Sequence, residues 1–333
     1  MLIFSFIISE TFPNVSIIIP LYNQAHFLTD AVRSIELQSL QNYEILVIDD
    51  QSTDNAQQVI KHLQELDNRI INIQLKENQG PFLARAKGII NAKGKYIVFI
   101  DADDYLNSIT ILQHAFELAE ETSADIVHFN EKLLEADRES AFNWANPAND
   151  SVQEKYFGLT QWMLNGQGTA LHGKLFLKNQ LLRAIVLIQN QKSDIFQTKL
   201  YYSEDTLMML AFYTLQEKYV PLLEFGYTYT IRPNSLSKSS VAYYDKFVKR
   251  VDDSLIVYHI VKKILSVLPE AFQRNIHFQF FKYMKSSMME IELYHNNDAD
   301  KKAFMCEKLL NSGVLIDEYV NKLKSEHCAD IIQ

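Results

Sequence analysis

The sequence of 333 residues is poor in the residues that define several protein classes. Its 2 cysteines exclude a disulfide-rich scaffold and a cysteine-rich zinc site, and they favour a reducing compartment. Its 9 glycines and 7 prolines exclude a collagen-like or low-complexity chain. The strongest candidate for a membrane segment, the apolar stretch at 1–8, is far shorter than the ~20 residues that cross a bilayer. We do not interpret that stretch as a signal peptide.

Positive charge is also scarce, because 32 Lys and Arg oppose 41 Asp and Glu for a formal net charge of −9. A general nucleic-acid binder needs a basic face to neutralise phosphates, so we expect no nucleic-acid partner. Hydrophobic residues make up 47% and charged residues 22% of the chain, which is typical of a soluble globular protein. The length predicts about two domains.

Several motifs of nucleotide and hydrolytic sites are missing. The sequence has no G-x-G-x-x-G after its first predicted strand and no G-x-x-x-x-G-K-[ST], so a dinucleotide-binding site and a P-loop have no support. It also has no G-x-S-x-G and no H-E-x-x-H, the motifs of α/β-hydrolases and of many zinc proteases.

Short apolar runs alternate with amphipathic stretches over the first 130 residues. Such runs, separated by helices, predict an α/β fold with a mostly parallel sheet covered on both faces. The predicted strands lie at 15–19, 43–48, 70–75, 96–100 and 125–129. We interpret 131–150 as a loop and 241–333 as almost entirely helical. Between them we predict helices near 156–165, 178–188 and 204–216, and short strands near 218–231.

Polar residues follow the predicted strands at their carboxyl ends, the edge where ligands of parallel α/β sheets bind. Tyr22 follows the first strand and Asp50 the second, Arg85 lies soon after the third, and Asp101 and Asp103 follow the fourth. Two carboxylates one residue apart can face a single hard cation such as Mg²⁺ or Mn²⁺. A lone D-x-D also fits a helix cap or a solvated turn. The convergence of several polar strand ends favours a ligand site.

Four blocks of sequence, in this order, resemble the inverting family 2 glycosyltransferases of the GT-A fold. They are VSIIIPLYNQAHFL, EILVIDDQSTDNA, NQGPFLARAKGI and GKYIVFIDADDYL, and they cover about residues 14–130. The resemblance extends through the HGKLF segment at 172–176, the Glu204-Asp205 pair, and the tail from Tyr227 to Arg232 with Ser235 and Ser237. Bacterial enzymes that add galactose or a related hexose to lipooligosaccharide or capsule chains are similar in character.

The resemblance implies a GT-A-type, Rossmann-like, nucleotide-sugar-binding sheet flanked by helices. The glycosyltransferase domain would span 1–240, with a nucleotide-sugar-binding half at 14–130 and an acceptor half at 151–240, followed by a helical region at 241–333. The implied partners are a UDP-sugar donor and a glycan or glycolipid acceptor, and the implied cofactor is Mn²⁺ or Mg²⁺. The implied location is the cytoplasm, with peripheral contact to the cytoplasmic face of a bacterial inner membrane.

For the donor side, the resemblance implies that Pro20, Tyr22 and Asp50 line a uridine pocket. The Asp50 carboxylate would accept from the uracil ring N–H. Arg85 would lie near the nucleotide or the diphosphate. Without the resemblance, Asp50 also fits a turn cap and Arg85 an exposed helix position.

For the reacting groups, the resemblance implies that Asp101 lies by the ribose and the metal and that Asp103 is the main metal contact. Asp205 would be the general base that deprotonates the acceptor hydroxyl, beside Glu204 in the substrate site. As acids of a first helical turn, Glu204 and Asp205 also fit simple stabilisation of a helix N-terminus. His172 stands where the family usually has an aromatic residue, so both a substrate contact and a structural role are open for it.

Three other interpretations stay open. Phosphatases of the haloacid dehalogenase type also carry a D-x-D, but after their first strand. A glycosyltransferase-like module could bind a glycan without turnover. The stretch at 278–289 is rich in Phe and Met, which fits core packing, a homo-oligomer interface, or a face that rests on a membrane.

Overall fold

The computed structural model of the chain describes residues 12–136, 138–142, 151–153, 155–165, 168–232 and 244–268, with a few single positions after 268. Several sequence predictions fall on residues outside these ranges. They concern the apolar stretch at 1–8, Ser235 and Ser237, and the stretch at 278–289 apart from Gln279.

The first half of the sheet is parallel. It consists of β1 (Val15–Leu21), β2 (Tyr43–Asp49), β3 (Ile70–Gln74) and β4 (Tyr96–Phe99), in the order β3-β2-β1-β4. β2 and β4 are buried along their whole length, as expected for strands covered on both faces. The helices α1 (Ala25–Glu36), α2 (Ala56–Leu66) and α3 (Pro81–Asn91) connect these strands. α1 buries Leu28, Val32 and Ile35, the spacing of one helix face.

The second half continues the sheet in the order β8-β6-β9-β5, with β7 paired to β6. Its strands are β5 (Tyr105–Leu106), β6 (Ile126–Glu135), β7 (Arg138–Phe142), β8 (Lys174–Leu177) and β9 (Tyr219–Ile231). Its helices are α4 (Ile111–Thr122), α5 (Phe157–Asn165), α6 (Lys178–Gln191), α7 (Glu204–Leu215) and α8 (Tyr244–Leu265), with a short 3₁₀ turn at Ile195–Gln197. β8 is antiparallel to both β4 and β6, so it joins the two halves into one mixed sheet.

The predicted α/β sheet is confirmed, and two details of the prediction are wrong. The segment 131–142 is not a loop, because β6 extends to Glu135 and forms a hairpin with β7. The short strands predicted near 218–231 are one long strand, β9, which pairs in parallel with β6 through a register shift at Asn130. The outer half of β6 lacks a continuous apolar run because it is only partly buried.

The sheet separates two clusters of buried apolar side chains. One cluster contains residues of α1, α2 and α4, and the other contains residues of α3, α6, α7 and α8. Val257, Tyr258 and Val261 of α8 are fully buried in the second cluster. In the described part of the chain, no helix combines the length and the apolar character that crossing a bilayer requires. Cys306 takes part in a disulfide bond, which the low cysteine count did not predict.

Candidate active site

The acidic turn after β4 is fastened to β9. Asp104 is buried, and its carboxylate accepts hydrogen bonds from the Tyr227 hydroxyl and the Thr230 N–H, both at 2.7 Å. The Tyr227 oxygen in turn accepts from the Asp101 N–H at 3.2 Å. Asp104 is therefore the structural member of the turn, and it sets the position of Asp101 and Asp103.

Asp103 is paired with Arg232 at the end of β9. The Arg232 Nε lies 3.6 Å from Asp103 Oδ2, and an Arg232 Nη donates to the Asp103 carbonyl at 3.1 Å. The guanidinium stacks over Phe27 of α1, 3.7 Å from the ring centre. Beside this pair a cavity of ≈ 480 Å³ opens, with Tyr105 among its lining residues. The cavity has room for a substrate group next to Asp103.

Arg85 of α3 links the acidic turn to the start of α7. One Nη donates to Asp101 Oδ1 and the other to Glu204 Oε1, each at 2.8 Å. Burial by itself would lower the pKa of Arg85, but the two carboxylates hold it above its usual range. For Asp101, burial by itself would raise the pKa. The charges of Arg85 and His172 outweigh burial, so the pKa of Asp101 is lowered. Asp101 therefore remains ionised beside a guanidinium whose two Nη atoms are both engaged.

Asp205 lies beside Glu204 in the first turn of α7. The helix begins after Ser203, whose φ of 61° turns the chain sharply before the two acids. Asp205 Oδ1 accepts from the Thr206 N–H at 2.7 Å. Burial raises the pKa of Asp205 above its usual range, and burial together with Asp205 raises the pKa of Glu204 to about 8. A partly buried carboxylate with a raised pKa is suited to take a proton from a hydroxyl group.

At the end of β2, Asp50 holds the loop that precedes α3. Its two carboxylate oxygens accept from the Gln79 and Gly80 N–H groups, both at 2.7 Å. Burial raises the pKa of Asp50, although these hydrogen bonds oppose the shift. Gly80 has a φ of 87°, and a Cβ atom there would lie 2.7 Å from the Leu200 carbonyl oxygen, so glycine is required. Each Asp50 oxygen keeps a second lone pair, so a contact to a base remains open to it.

His172 lies just before β8, opposite Glu131 of β6. Its Nδ1 is 2.6 Å from Glu131 Oε1, and its ring is nearly parallel to those of Tyr227 and Tyr229, at centre distances of 4.9 and 5.4 Å. Burial favours the neutral ring, but the Glu131 carboxylate outweighs it and raises the pKa of His172. Burial would raise the pKa of Glu131, yet His172 lowers it to about 2. Burial also lowers the pKa of the neighbouring Lys174 to about 8.

The structure brings most of the predicted site residues to one edge of the sheet. Arg85, Asp101 and Glu204 are in direct contact, with Asp103 and Asp205 adjacent to them in sequence. Pro20, Tyr22 and Asp50 lie at the neighbouring ends of β1 and β2, where the Asp50 N–H donates to the Leu21 carbonyl at 2.8 Å. Tyr22 is 45% exposed, so it is accessible to a ligand.

Sequence reasoning missed Glu131, and it noticed Asp104 and Tyr227 only as members of motifs. A signal for Asp104 was available, since it directly follows the D-x-D. No signal was available for Glu131, which lies 41 residues from its partner His172 and inside a segment interpreted as a loop.

Two carboxylates at this site suit a divalent cation. Asp101 has one oxygen free of Arg85, and Asp103 has a long contact to Arg232. Among the described residues, no group of three or more His, Cys, Asp or Glu could hold a metal ion. Mg²⁺ and Mn²⁺ are commonly bound by one or two carboxylates together with substrate phosphates. The residues present therefore fit a cation that shares its coordination with a ligand.

Comparison with known proteins agrees with this geometry. Residues 16–152 match the family model described as Glycosyl transferase family 2. Residues 16–152 are therefore similar to a family 2 glycosyltransferase domain. The glycosyltransferase GlyA of Streptococcus pneumoniae is 30% identical over 233 residues, which cover 67% of this chain and 31% of that protein. A poly(ribitol-phosphate) beta-glucosyltransferase of Bacillus spizizenii is 27% identical over 234 residues, 69% of this chain and 34% of that protein. The chain thus spans about a third of the length of both relatives.

The fold of this chain is shared with TarS of S. aureus. The crystal structure of TarS 1-349 in complex with UDP superposes with a TM-score of 0.61 at 18% identity, covering 88% of this chain and 80% of that one. The predicted GT-A fold is therefore confirmed.

Proposed function

We propose that the domain is a metal-dependent inverting glycosyltransferase that moves a hexose from a UDP-sugar to a hydroxyl of a growing bacterial surface glycan, such as a lipooligosaccharide or a capsule chain. The observation that carries the proposal is the Arg85 bridge, which sets the Asp101–Asp103 turn opposite the Glu204–Asp205 pair. One side of this arrangement suits a nucleotide diphosphate with its cation, and the other suits an acceptor hydroxyl. Galactose and N-acetylhexosamine are the sugars we favour.

The relatives support parts of this proposal. The poly(ribitol-phosphate) beta-glucosyltransferase is, by its name, an enzyme that glycosylates a polymer. TarS has been crystallised in complex with UDP and with UDP-GlcNAc, which supports a uridine donor. We also propose that the enzyme acts in the cytoplasm, with peripheral contact to the inner membrane, because its acceptor would be carried on a lipid.

In the proposed reaction, Asp205 accepts the proton of the acceptor hydroxyl. The acceptor oxygen then forms a bond to the anomeric carbon from the face opposite UDP. The bond from that carbon to the β-phosphate oxygen breaks, and UDP leaves with the bonding electron pair, so the configuration is inverted. Because the carboxylate of Asp205 has a raised pKa, it holds the proton more firmly than an exposed aspartate would.

Asp103 and Asp101 would hold Mn²⁺ or Mg²⁺, which when bound neutralises charge on the leaving diphosphate. Arg85 keeps the Asp101 carboxylate oriented, since its Nη2 lies 2.8 Å from Asp101 Oδ1. Pro20, Tyr22 and Asp50 would line the uridine pocket, where Asp50 accepts from the uracil N–H.

The test is release of UDP from a panel of UDP-sugars, each assayed with Mn²⁺ or with EDTA, in the wild type and in two variants. Asp103→Asn should abolish metal-dependent release, because it removes a carboxylate ligand. Asp205→Asn should abolish transfer to an acceptor but leave UDP binding intact, because it removes only the base. Asp194→Asn is the control, since the Asp194 side chain is 58% exposed and its one side-chain partner among the described residues is Lys192.

Full activity of Asp103→Asn would refute the metal role of that residue. Hydrolysis of phosphomonoesters without any binding of UDP would support the phosphatase interpretation instead. Tight UDP binding without turnover on any donor or acceptor would support a silent binding module.

A further inference from the structure

We propose that His172 is a further substrate-contacting residue, whose Nε2–H donates a hydrogen bond to the diphosphate of the donor. The inference rests on the proposed function, because it needs a nucleoside diphosphate in the site. It assigns a role to the residue at which the chain departs from the aromatic pattern of its family.

The imidazole is held in a fixed orientation. Its Nδ1 is bonded to Glu131 at 2.6 Å, and one ring face packs parallel to Tyr227 at an interplanar angle of 12°. Gly173 makes this approach feasible, because it has a φ of 67° and a Cβ atom there would overlap Glu131 Oε1. A carboxylate that binds one ring nitrogen fixes which nitrogen faces a ligand.

The second ring nitrogen, Nε2, remains available. No described residue accepts a hydrogen bond from it, and it is not among the buried polar atoms that lack a partner. The side chain of His172 is 18% exposed. Nε2 is therefore accessible to a ligand.

The sheet places this donor beside the candidate metal-binding turn. β8 is antiparallel to β4, with Leu175 opposite Val98, so the residues before β8 lie next to those after β4. Tyr227 joins the two sides, since its ring packs on His172 and its hydroxyl bonds to the Asp101 N–H and to the Asp104 carboxylate. The same geometry places His172 where the phosphates of a donor held at Asp101 and Asp103 would lie.

The charges around His172 favour a further cationic donor for a diphosphate, in addition to the Arg232 guanidinium that lies against Asp103. The described acidic groups that face His172 are Glu131, Asp101, Asp104 and Asp205, and the basic groups are Lys174 and His128. Both Nη atoms of Arg85 are engaged by carboxylates, and Lys174 is buried with its Nζ bonded to the His172 carbonyl at 3.1 Å. An anionic ligand in so acidic a cleft requires cationic donors. A protonated imidazole makes the stronger, charge-assisted type of hydrogen bond.

The experiment measures the affinity for UDP, UMP and uridine in the presence of Mg²⁺ by calorimetry. His172→Phe keeps a flat ring against Tyr227 and removes the donor, and His172→Gln keeps a neutral N–H donor. His114→Phe is the matched control, because His114 also pairs with a glutamate at 2.6 Å but is 47% exposed and belongs to α4, which contributes none of the proposed site residues. We expect His172→Phe to weaken UDP binding about 10- to 100-fold, the range of a charge-assisted hydrogen bond. Uridine binding should stay unchanged, and His172→Gln should recover part of the loss.

A spectroscopic measurement detects the contact in the wild type itself and uses a variant only to assign the His172 resonance. The chain has 9 histidines, which selective ¹⁵N labelling makes visible. One imidazole resonance, absent from the His172→Gln spectrum, should shift when UDP and Mg²⁺ are added but not when uridine is added. Equal UDP affinity in the wild type and His172→Phe, or an unmoved His172 resonance, overturns the inference while the proposed function stands. Failure of the wild type to bind UDP at all overturns both.

Discussion

Removal of the Arg85 side chain gives the sharpest test of how this site is held together. Arg85→Met preserves most of the buried stem but removes the guanidinium that bridges Asp101 and Glu204, at 2.8 Å to each. The two carboxylates then lose their shared counterion. Glu204 is only 9% exposed, so water replaces little of that interaction.

The magnitude follows from burial. Removing one partner of a buried ion pair costs about 3–5 kcal/mol of unfolding free energy, because a charge is left buried without compensation. The control is Arg69→Met, which breaks the pair with Asp67 at 2.8 Å. The Arg69 side chain is 28% exposed, and such a pair contributes about 0–1 kcal/mol. The gap between the two variants should therefore be at least about 2 kcal/mol.

The deficit of Arg85→Met should depend on pH in a defined direction. Without Arg85, the pKa of Asp101 is no longer held below its usual value, so burial raises it in the folded state. The pKa of Glu204, which is already about 8, rises further. As the pH rises, these carboxyl groups lose their protons at a lower pH in the unfolded chain than in the folded chain. The free energy of unfolding therefore falls between the unfolded-state pKa and the folded-state pKa. We therefore expect a smaller deficit at pH 5.5 than at pH 7.5. Urea unfolding followed by circular dichroism at both pH values gives the two free energies.

A double-mutant cycle completes the assay. Glu204→Gln removes one of the two charges, so combining it with Arg85→Met should cost less than the sum of the single variants. The reasoning would be refuted if Arg85→Met were no more destabilising than Arg69→Met, or if its deficit grew on acidification.

Two further predictions concern the backbone around the site. Gly173→Ala should destabilise the protein more than Gly168→Ala in thermal unfolding. Both glycines have a positive φ, but only a Cβ at position 173 overlaps the Glu131 side chain. Equal shifts of the melting temperature would contradict the close packing of Glu131. Asp253→Ala should lower stability by about 1–3 kcal/mol, because the buried carboxylate of Asp253 accepts from the Tyr201 N–H at 2.9 Å. Hydrogen exchange at the Tyr201 amide should accelerate in that variant, and unchanged protection would show that another group holds this loop.

Sequence patterns predicted the first half of the fold well because its strands are buried on both faces. β2 and β4 are buried along their whole length and consist mainly of apolar residues, and such runs can be recognised without knowledge of their neighbours. The motif residues after these strands, from Asp50 to Asp103, were located for the same reason.

The second half was harder to predict because its order depends on contacts between distant segments. β8 is only four residues long, and its insertion between β4 and β6 leaves no periodic signal. The outer part of β6 is half-exposed, so its pattern is that of a loop. The ion pair of His172 with Glu131 joins two such segments, and only the completed sheet brings its members together.

The insertion of β8 also constrains how the protein can move. Its backbone pairs with β4 on one side and with β6 on the other. The two halves of the sheet therefore cannot separate at β8 without breaking main-chain hydrogen bonds. A rigid-body rotation of one half against the other would therefore break the pairing of β8 with β4 or with β6. For the same reason, a chimera that exchanges the second half with that of a relative must match the register of β8 on both flanks.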